Sequence, residues 1–217
     1  MPKATLHLIV DGRTPIDAVA AALAAGVDVI QLRDRSSAAR DLYQQAQSLL
    51  PEIRSAKAGL IVNDRLDVGL AVAATGVHLA GRSLAPQVAR TVAGELLLGA
   101  SVHSLPDALA IAPWVDYLTF GPIFATASHP GQLGAGLVAL AEVVRSVPCP
   151  VLAIGGIGPA NAASVVTAGA SGVVVISAIL QAENVARATA DLRQSLDLGP
   201  DPMRADPALI KGGRLRW

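Results

Sequence analysis

Short apolar or β-branched runs alternate along the chain with longer stretches in which Ala and Leu recur at helical spacing. The runs cover 6–10, 28–33, 59–64, 76–80, 96–102, 116–121, 150–156 and 172–177. The stretches that follow them cover 15–26, 37–58, 66–75, 86–94, 105–114, 137–147, 159–169 and 178–196. A run without polar alternation, such as Val173-Val174-Val175-Ile176, suits a strand covered on both faces, as in a parallel sheet. Punctuation agrees with this reading. Ser37, Pro86, Pro106 and Pro159 stand near predicted helix starts, and Gly26, Gly94 and Gly169 near predicted ends. Eight strand–helix units predict an α/β chain of one domain over 1–197, a (β/α)8 TIM barrel near its lower size limit. The competing open, doubly wound sheet more often has fewer strands and a glycine-rich first turn. Here that turn reads Asp11-Gly12-Arg13-Thr14-Pro15, without G-x-G-x-x-G spacing. The pattern stops near Leu198, so 198–217, with its basic end Lys211-Gly212-Gly213-Arg214-Leu215-Arg216-Trp217, reads as a C-terminal tail.

Charge narrows the partners. Seventeen basic and 17 acidic side chains cancel, which argues against a general electrostatic grip on nucleic acid or an anionic membrane surface. Apolar residues make up 52% of the 217, which excludes disorder, yet no apolar run reaches the roughly 20 residues of a spanning helix. The start lacks a signal-peptide layout. The one cysteine, Cys149, makes no internal disulfide, so a cytoplasmic location is expected. So apolar a surface allows a homodimer without locating its interface.

In such a barrel, chemistry belongs at the C-terminal strand ends. Those ends are polar here. After the seventh and eighth runs come Gly155-Gly156 and Ile176-Ser177, each leading into a helix. Glycines let amide N–H groups approach an anion, and this pair of loops is the recurrent phosphate site of the fold. A phosphorylated ligand is therefore expected, although tight strand–helix turns alone would also use these glycines. Strand alternation places Gln31, Arg33 and Arg35 on one side, as a phosphate clamp or as a rim ion pair with Asp34 or Asp64. Asp64, after Asn63, is either a Mg2+ ligand or a partner of Arg33 or helix cap; from the residues alone the second is preferred. His7 and His78 lie within runs and read as structural. His103, at a strand end beyond Ser101, and His129, in the long loop with Thr126 and Ser128, are the candidate proton carriers.

Taken in order, several motifs over 5–195 together resemble the thiamine phosphate synthase/TenI superfamily. They are Gln31-Leu32-Arg33-Asp34-Arg35, Val62-Asn63-Asp64-Arg65, Gly76-Val77-His78-Leu79, Gly99-Ala100-Ser101-Val102-His103-Ser104, Asp116 through Thr126, Ala153-Ile154-Gly155-Gly156-Ile157 and Val175-Ile176-Ser177-Ala178-Ile179. The resemblance implies a barrel enzyme of thiamine biosynthesis. For the synthase branch it implies that Gln31, Arg33, Arg35 and Asn63 hold a pyrimidine diphosphate. Asp64 would then bind Mg2+, and Ser101 would lie near the pyrimidine. It also implies that Thr126, Ser128, Gly156, Ile176 and Ser177 hold a thiazole phosphate. Two departures bear on that branch. Ser83 stands where the synthase pattern has a second metal-binding Asp, and His129 where it has a Lys. A diphosphate leaving group needs such charges neutralised. Arg33-Asp34-Arg35-Ser36, the Ala80 to Pro86 segment and Ser101-Val102-His103-Ser104 look like TenI instead. The first expectation is therefore a TenI-like thiazole tautomerase, needing no cofactor and acting on a small phosphorylated thiazole, with His129 or His103 moving the proton. Pro122 stands where some tautomerases carry a catalytic His. The alternatives are a Mg2+-dependent thiamine phosphate synthase and a non-catalytic phosphate-ligand regulator.

Overall fold

The eight apolar runs become strands because they pair edge to edge and are buried on both faces. The computed structural model describes residues 4–126, 131 and 133–199. Within these, the strands are β1 Thr5–Val10, β2 Val29–Leu32, β3 Gly59–Asn63, β4 Gly76–Leu79, β5 Leu97–Val102, β6 Tyr117–Phe120, β7 Val151–Ile154 and β8 Gly172–Val175. Each pairs in parallel with the next, and β8 pairs with β1 to close the barrel. The helices are α1 Ile16–Ala24, α2 Ala39–Ser55, α3 Leu66–Ala71, α4 Pro86–Ala93, α5 Leu105–Ile111, α6 Gly136–Ser146, α7 Ala162–Thr167, α8 Ser177–Leu180 and α9 Val185–Asp197. No helix among the described residues is long and apolar enough to cross a membrane. Beyond Gly199 the predicted tail lies outside the described residues.

The outward strand residues meet the apolar stripes of the helices. Leu42, Ala46, Leu49 and Ile53 form one such stripe on α2. They join Leu8, Ile30, Leu32 and Leu60 in a single core cluster. Burying a leucine of this kind contributes about 1.5–3 kcal/mol. The last predicted helix, 178–196, is two helices. The side chain of Asn184 accepts the Arg187 N–H at 2.9 Å and starts α9 afresh, a cap that the surrounding helical pattern hides.

The inward residues are arranged by the stagger of the strands. A line of paired positions that leaves β1 at Ile9 returns to β1 eight residues lower. One residue of climb per strand puts alternate strands on one level, the layering of a (β/α)8 barrel. The middle level holds Gln31, His78, Thr119 and Val174, all buried. The level above, facing the mouth, holds Ile9, Asn63, Ser101 and Ile154; the level below holds His7, Ile61, Gly99 and Leu152. The interior is therefore divided. From β2 to β6 its upper levels are polar, whereas around β7, β8 and β1 they are apolar, Ile9, Ile154 and Val174 clustering with Leu152 and Tyr117 from below.

At the opposite end, two carboxylates fix the strand starts. The Asp28 carboxylate accepts the Leu6 N–H at 2.8 Å, and Asp116 accepts the Leu98 N–H at 2.8 Å. Each also takes an arginine from a helix, Arg193 of α9 at 3.1 Å and Arg90 of α4 at 2.6 Å. Arg193 is buried in the apolar stripe of α9 because it also meets Asp197 and the Ala4 carbonyl. Replacing Arg193 by Leu takes the arginine from Asp28 and the side-chain donor from the Ala4 carbonyl. The expected loss is about 3 kcal/mol, discounted for the partial exposure of Asp28. Urea unfolding checks it: the midpoint falls while the slope is unchanged.

Candidate active site

β2 ends at Leu32, so the alternation assumed for Arg33 and Arg35 stops short of both. Arg33 is tied to the barrel by its N–H to the Val10 carbonyl at 2.8 Å and is half-buried, while Arg35 is exposed. Asp34 does not pair with either. Its carboxylate accepts the N–H groups and hydroxyls of Ser36 and Ser37, at 2.8 to 3.2 Å. These bonds, the Ser36 N–H first, hold its carboxyl well below the usual range. Among the described residues neither Arg33 nor Arg35 has a carboxylate partner. Burial, and then the like charge of Arg35, lowers the pKa of Arg33. The rim ion pair expected as one reading is thus absent there, and two neighbouring guanidinium groups are left for an anion.

Asp64 follows the same logic. It adopts a left-handed backbone, φ 69°, and its N–H donates to the His78 carbonyl at 2.8 Å. Its side chain is exposed and neither caps α3 nor pairs with Arg33, which overturns the preferred reading from the residues alone. Arg65 turns instead to Asp67. Ser83 is occupied: its Oγ accepts the Ala80 N–H at 2.7 Å, closing the turn after β4. Among the described residues no three His, Cys, Asp or Glu side chains come together to hold a metal. A protein cage is therefore not built. Mg2+, which commonly takes one or two carboxylates plus substrate phosphates, fits with Asp64 as its one carboxylate.

Beneath this rim lies a polar set. Gln31 Nε2 reaches Asn63 Oδ1 at 3.4 Å, a long contact. His78 Nε2 lies 2.8 Å from Ser101 Oγ, and His78 Nδ1 lies 3.3 Å from the Tyr117 hydroxyl. Tyr117 rises from a lower level through the space left by Gly99, where a Cβ would overlap its ring. Burial, and then the Arg33 charge, lowers the His78 pKa to about 4. Burial also raises the Tyr117 pKa. His78, expected to be structural, is buried and touches the predicted site residue Ser101. Tyr117 and Thr119 join this polar set, and reading the sequence alone misses them. Their period-two spacing on β6 is the one signal that points to them.

His103 donates from Nδ1 to the Gly121 carbonyl at 2.6 Å, with its ring exposed at the end of β5. The phosphate loops lie side by side, because Ile154 of β7 pairs with Val174 of β8. Gly156 is required at φ 66°: a Cβ there would lie 2.6 Å from the Ala125 carbonyl oxygen. Asn161 holds this loop by accepting the Gly158 N–H and donating to the Gly156 carbonyl, both at 2.9 Å. Gly155, Gly156, Ile176 and Ser177 donate no backbone N–H to a backbone acceptor outside the strands and helices among the described residues. Ile176 and Ser177 are exposed, and Thr126 is half-buried beside the loop. Ser128 and His129 lie outside the described residues.

Comparison with known proteins adds an independent observation. The family model described as thiamine monophosphate synthase matches residues 6–179. A thiamine-phosphate synthase of Chloroflexus aurantiacus is 42% identical over 184 residues, 84% of this chain and 85% of that one. One from a Roseiflexus species is 46% identical over 180 residues, 82% of this chain and 76% of that one. The solved thiamine phosphate pyrophosphorylase of Pyrococcus furiosus superposes with a TM-score of 0.83 at 39% identity, covering 90% of this chain and 96% of that one.

The buried histidines generate a pH prediction. Burial holds His7 at about 3 and His78 at about 4, against 6.5 when free. Both are therefore neutral in the folded chain while the unfolded chain binds protons. Stability is full above pH 6.5 and falls as pH drops from there toward 4 and then 3. Urea midpoints across that window should decline, and His78→Gln should flatten the part between 6.5 and 4.

Proposed function

Because the chain belongs to the thiamine monophosphate synthase family, we propose that it is a thiamine phosphate synthase, joining hydroxymethylpyrimidine diphosphate to a thiazole phosphate and releasing diphosphate. The observation that carries this choice is the pair Arg33 and Arg35 after β2, without carboxylate partners among the described residues, with Asp64 after the neighbouring β3 also in no ion pair among them. A proton shift on a thiazole has no use for that much positive charge at a second place on the rim, after β2 rather than after β7 and β8. A departing diphosphate does. The curated relatives compared above bear synthase names, which also favours this reading over the tautomerase that the residues first suggested.

In this reading the guanidinium groups of Arg33 and Arg35 bind the diphosphate and take up charge as its bond to the pyrimidine methylene carbon breaks. Mg2+, when bound with Asp64, would supply further neutralisation of the leaving group. The amides of Gly156 and Ser177 hold the thiazole phosphate, with Thr126 nearby. The upper barrel levels then receive the pyrimidine, its polar edge toward Gln31, Asn63 and Ser101 and its apolar contacts toward Ile9, Ile154 and Val174. This arrangement keeps the two phosphates at separate strand ends, β2 and β3 for one and β7 and β8 for the other, so the reacting groups meet between them.

The experiment is incubation with both substrates, with and without Mg2+. Metal-dependent diphosphate release with formation of the joined product is expected. Asp64→Asn should lower kcat by about 10²-fold or more, and Arg33→Ala should raise the KM for the pyrimidine diphosphate at least about tenfold. Gly156→Ala should instead weaken the thiazole phosphate by about tenfold, since its backbone is strained and blocked. Metal-independent aromatisation of a thiazole carboxylate phosphate, with no joined product, would restore the tautomerase. Tight thiazole phosphate binding without either reaction would make the chain a regulator.

A further inference from the structure

We propose that His78 is a positioning residue for the synthase reaction. Held from below by Tyr117, it fixes the Ser101 hydroxyl so that its hydrogen points into the mouth, as a donor to an sp2 nitrogen of the pyrimidine ring. The inference rests on the synthase reading for the identity of the ring, and on geometry for the relay itself.

The relay begins in the barrel interior. The Tyr117 hydroxyl lies 3.3 Å from His78 Nδ1, and His78 Nε2 lies 2.8 Å from Ser101 Oγ. The rings of Tyr117 and His78 sit 5.8 Å apart, and both residues are buried. Ser101 is half-buried on the level that faces the mouth. A neutral imidazole has one donor and one acceptor, so the direction of one bond dictates the other. A phenol is a better donor than acceptor, because its oxygen lone pair is shared with the ring, while the imidazole sp2 nitrogen is a strong acceptor. Tyr117 O–H therefore donates to Nδ1, and Nε2–H donates to Ser101 Oγ. The serine oxygen has then accepted one bond from below and keeps its own hydrogen for a ligand. Each bond in such a chain polarises the next, which strengthens the terminal donor.

The opposite direction would have the opposite chemistry. If Ser101 donated to Nε2, its oxygen would offer only lone pairs to the mouth, and the partner would have to be an N–H group. The relay thus selects the edge of the ring that docks at β5. It also explains why glycine stands at position 99: the Tyr117 ring occupies the space that any side chain there would need.

The test uses the full chain, with histidine labelled by 15N and the His78 signals assigned by their loss in His78→Gln. The expected spectrum at pH 7 shows the Nε2–H tautomer, and Tyr117→Phe, which keeps the ring and removes the donor, should mix the two tautomers. Calorimetry with the pyrimidine diphosphate and, separately, the thiazole phosphate provides the second readout. His78→Leu should bind the pyrimidine diphosphate about tenfold more weakly and leave the thiazole phosphate within about threefold, whereas His78→Gln, whose amide can donate to Ser101, should recover most of the loss. An Nδ1–H tautomer overturns the proposal. So does unchanged pyrimidine binding by His78→Leu, or an equal loss for both ligands, the mark of a merely structural residue. If the unaltered chain binds no pyrimidine diphosphate, the synthase reading fails, while the tautomer still decides the relay.

Discussion

The eight-residue stagger with which the strands close is the constraint on which the mouth of this barrel depends. Stagger decides which inward side chains share a level, and therefore which can touch. With one residue of climb per strand, His78 sits level with Gln31 and Thr119 and just beneath Ser101 and Asn63. A different stagger would put the same residues on the same strands but break that neighbourhood. The carboxylates of Asp28 and Asp116, each gripping the first amides of the preceding strand, act at the far end on the same quantity. Both are anchored by an arginine, so the register of the site is held partly by ion pairs outside it.

Charge at the rim is the second determinant, and it is a matter of which carboxylates are already engaged. Asp34, between two arginines in sequence, is drawn off by Ser36 and Ser37. Asp67 takes Arg65, and Asp11 takes Arg13. Arg33 and Arg35 remain near one another without neutralisation among the described residues; burial, and then the Arg35 charge, lowers the pKa of Arg33. Counting charges along the chain misses this, because the net charge is zero and every arginine of the rim has an acidic residue within two positions or across one strand. Once the engaged carboxylates are set aside, the mouth keeps enough positive charge for a diphosphate.

Periodicity alone finds all eight strands and the closed barrel, because strands buried on both faces carry an unbroken apolar signature that solvent-facing strands lack. It also places the glycine loops together, since strand order in this fold follows chain order. It fails where local geometry departs from the regular element. Alternation carries past Leu32, where β2 has ended. It suggests for Asp64 a cap that the left-handed backbone there does not make. The helical pattern over 178–196 hides the capping Asn184. Tyr117 escapes for a different reason. Its role depends on the absence of a side chain at Gly99 on the neighbouring strand, and a pairwise vacancy across a sheet leaves no mark in either run alone.

The divided interior links these points. A barrel core made wholly of Val, Ile and Leu would be more easily packed, since buried polar groups must all be satisfied. Here the polar half is confined to β2 through β6, and much of it is tied into contacts that end at the mouth, Gln31 with Asn63 and Tyr117 with His78 and Ser101. Thr119, buried on the same level as His78, has no hydrogen-bond partner for its hydroxyl among the described residues. An unsatisfied hydroxyl costs about 1–3 kcal/mol, so a core under selection for stability alone would have replaced it. A ligand edge or an ordered water beside Ser101 would supply the missing bond when the mouth is filled. The apolar half, with Ile9, Ile154 and Val174, contributes no such demands and offers only contact area. A planar heteroaromatic ring with hydrogen-bonding groups along one edge is the kind of molecule that satisfies both halves at once.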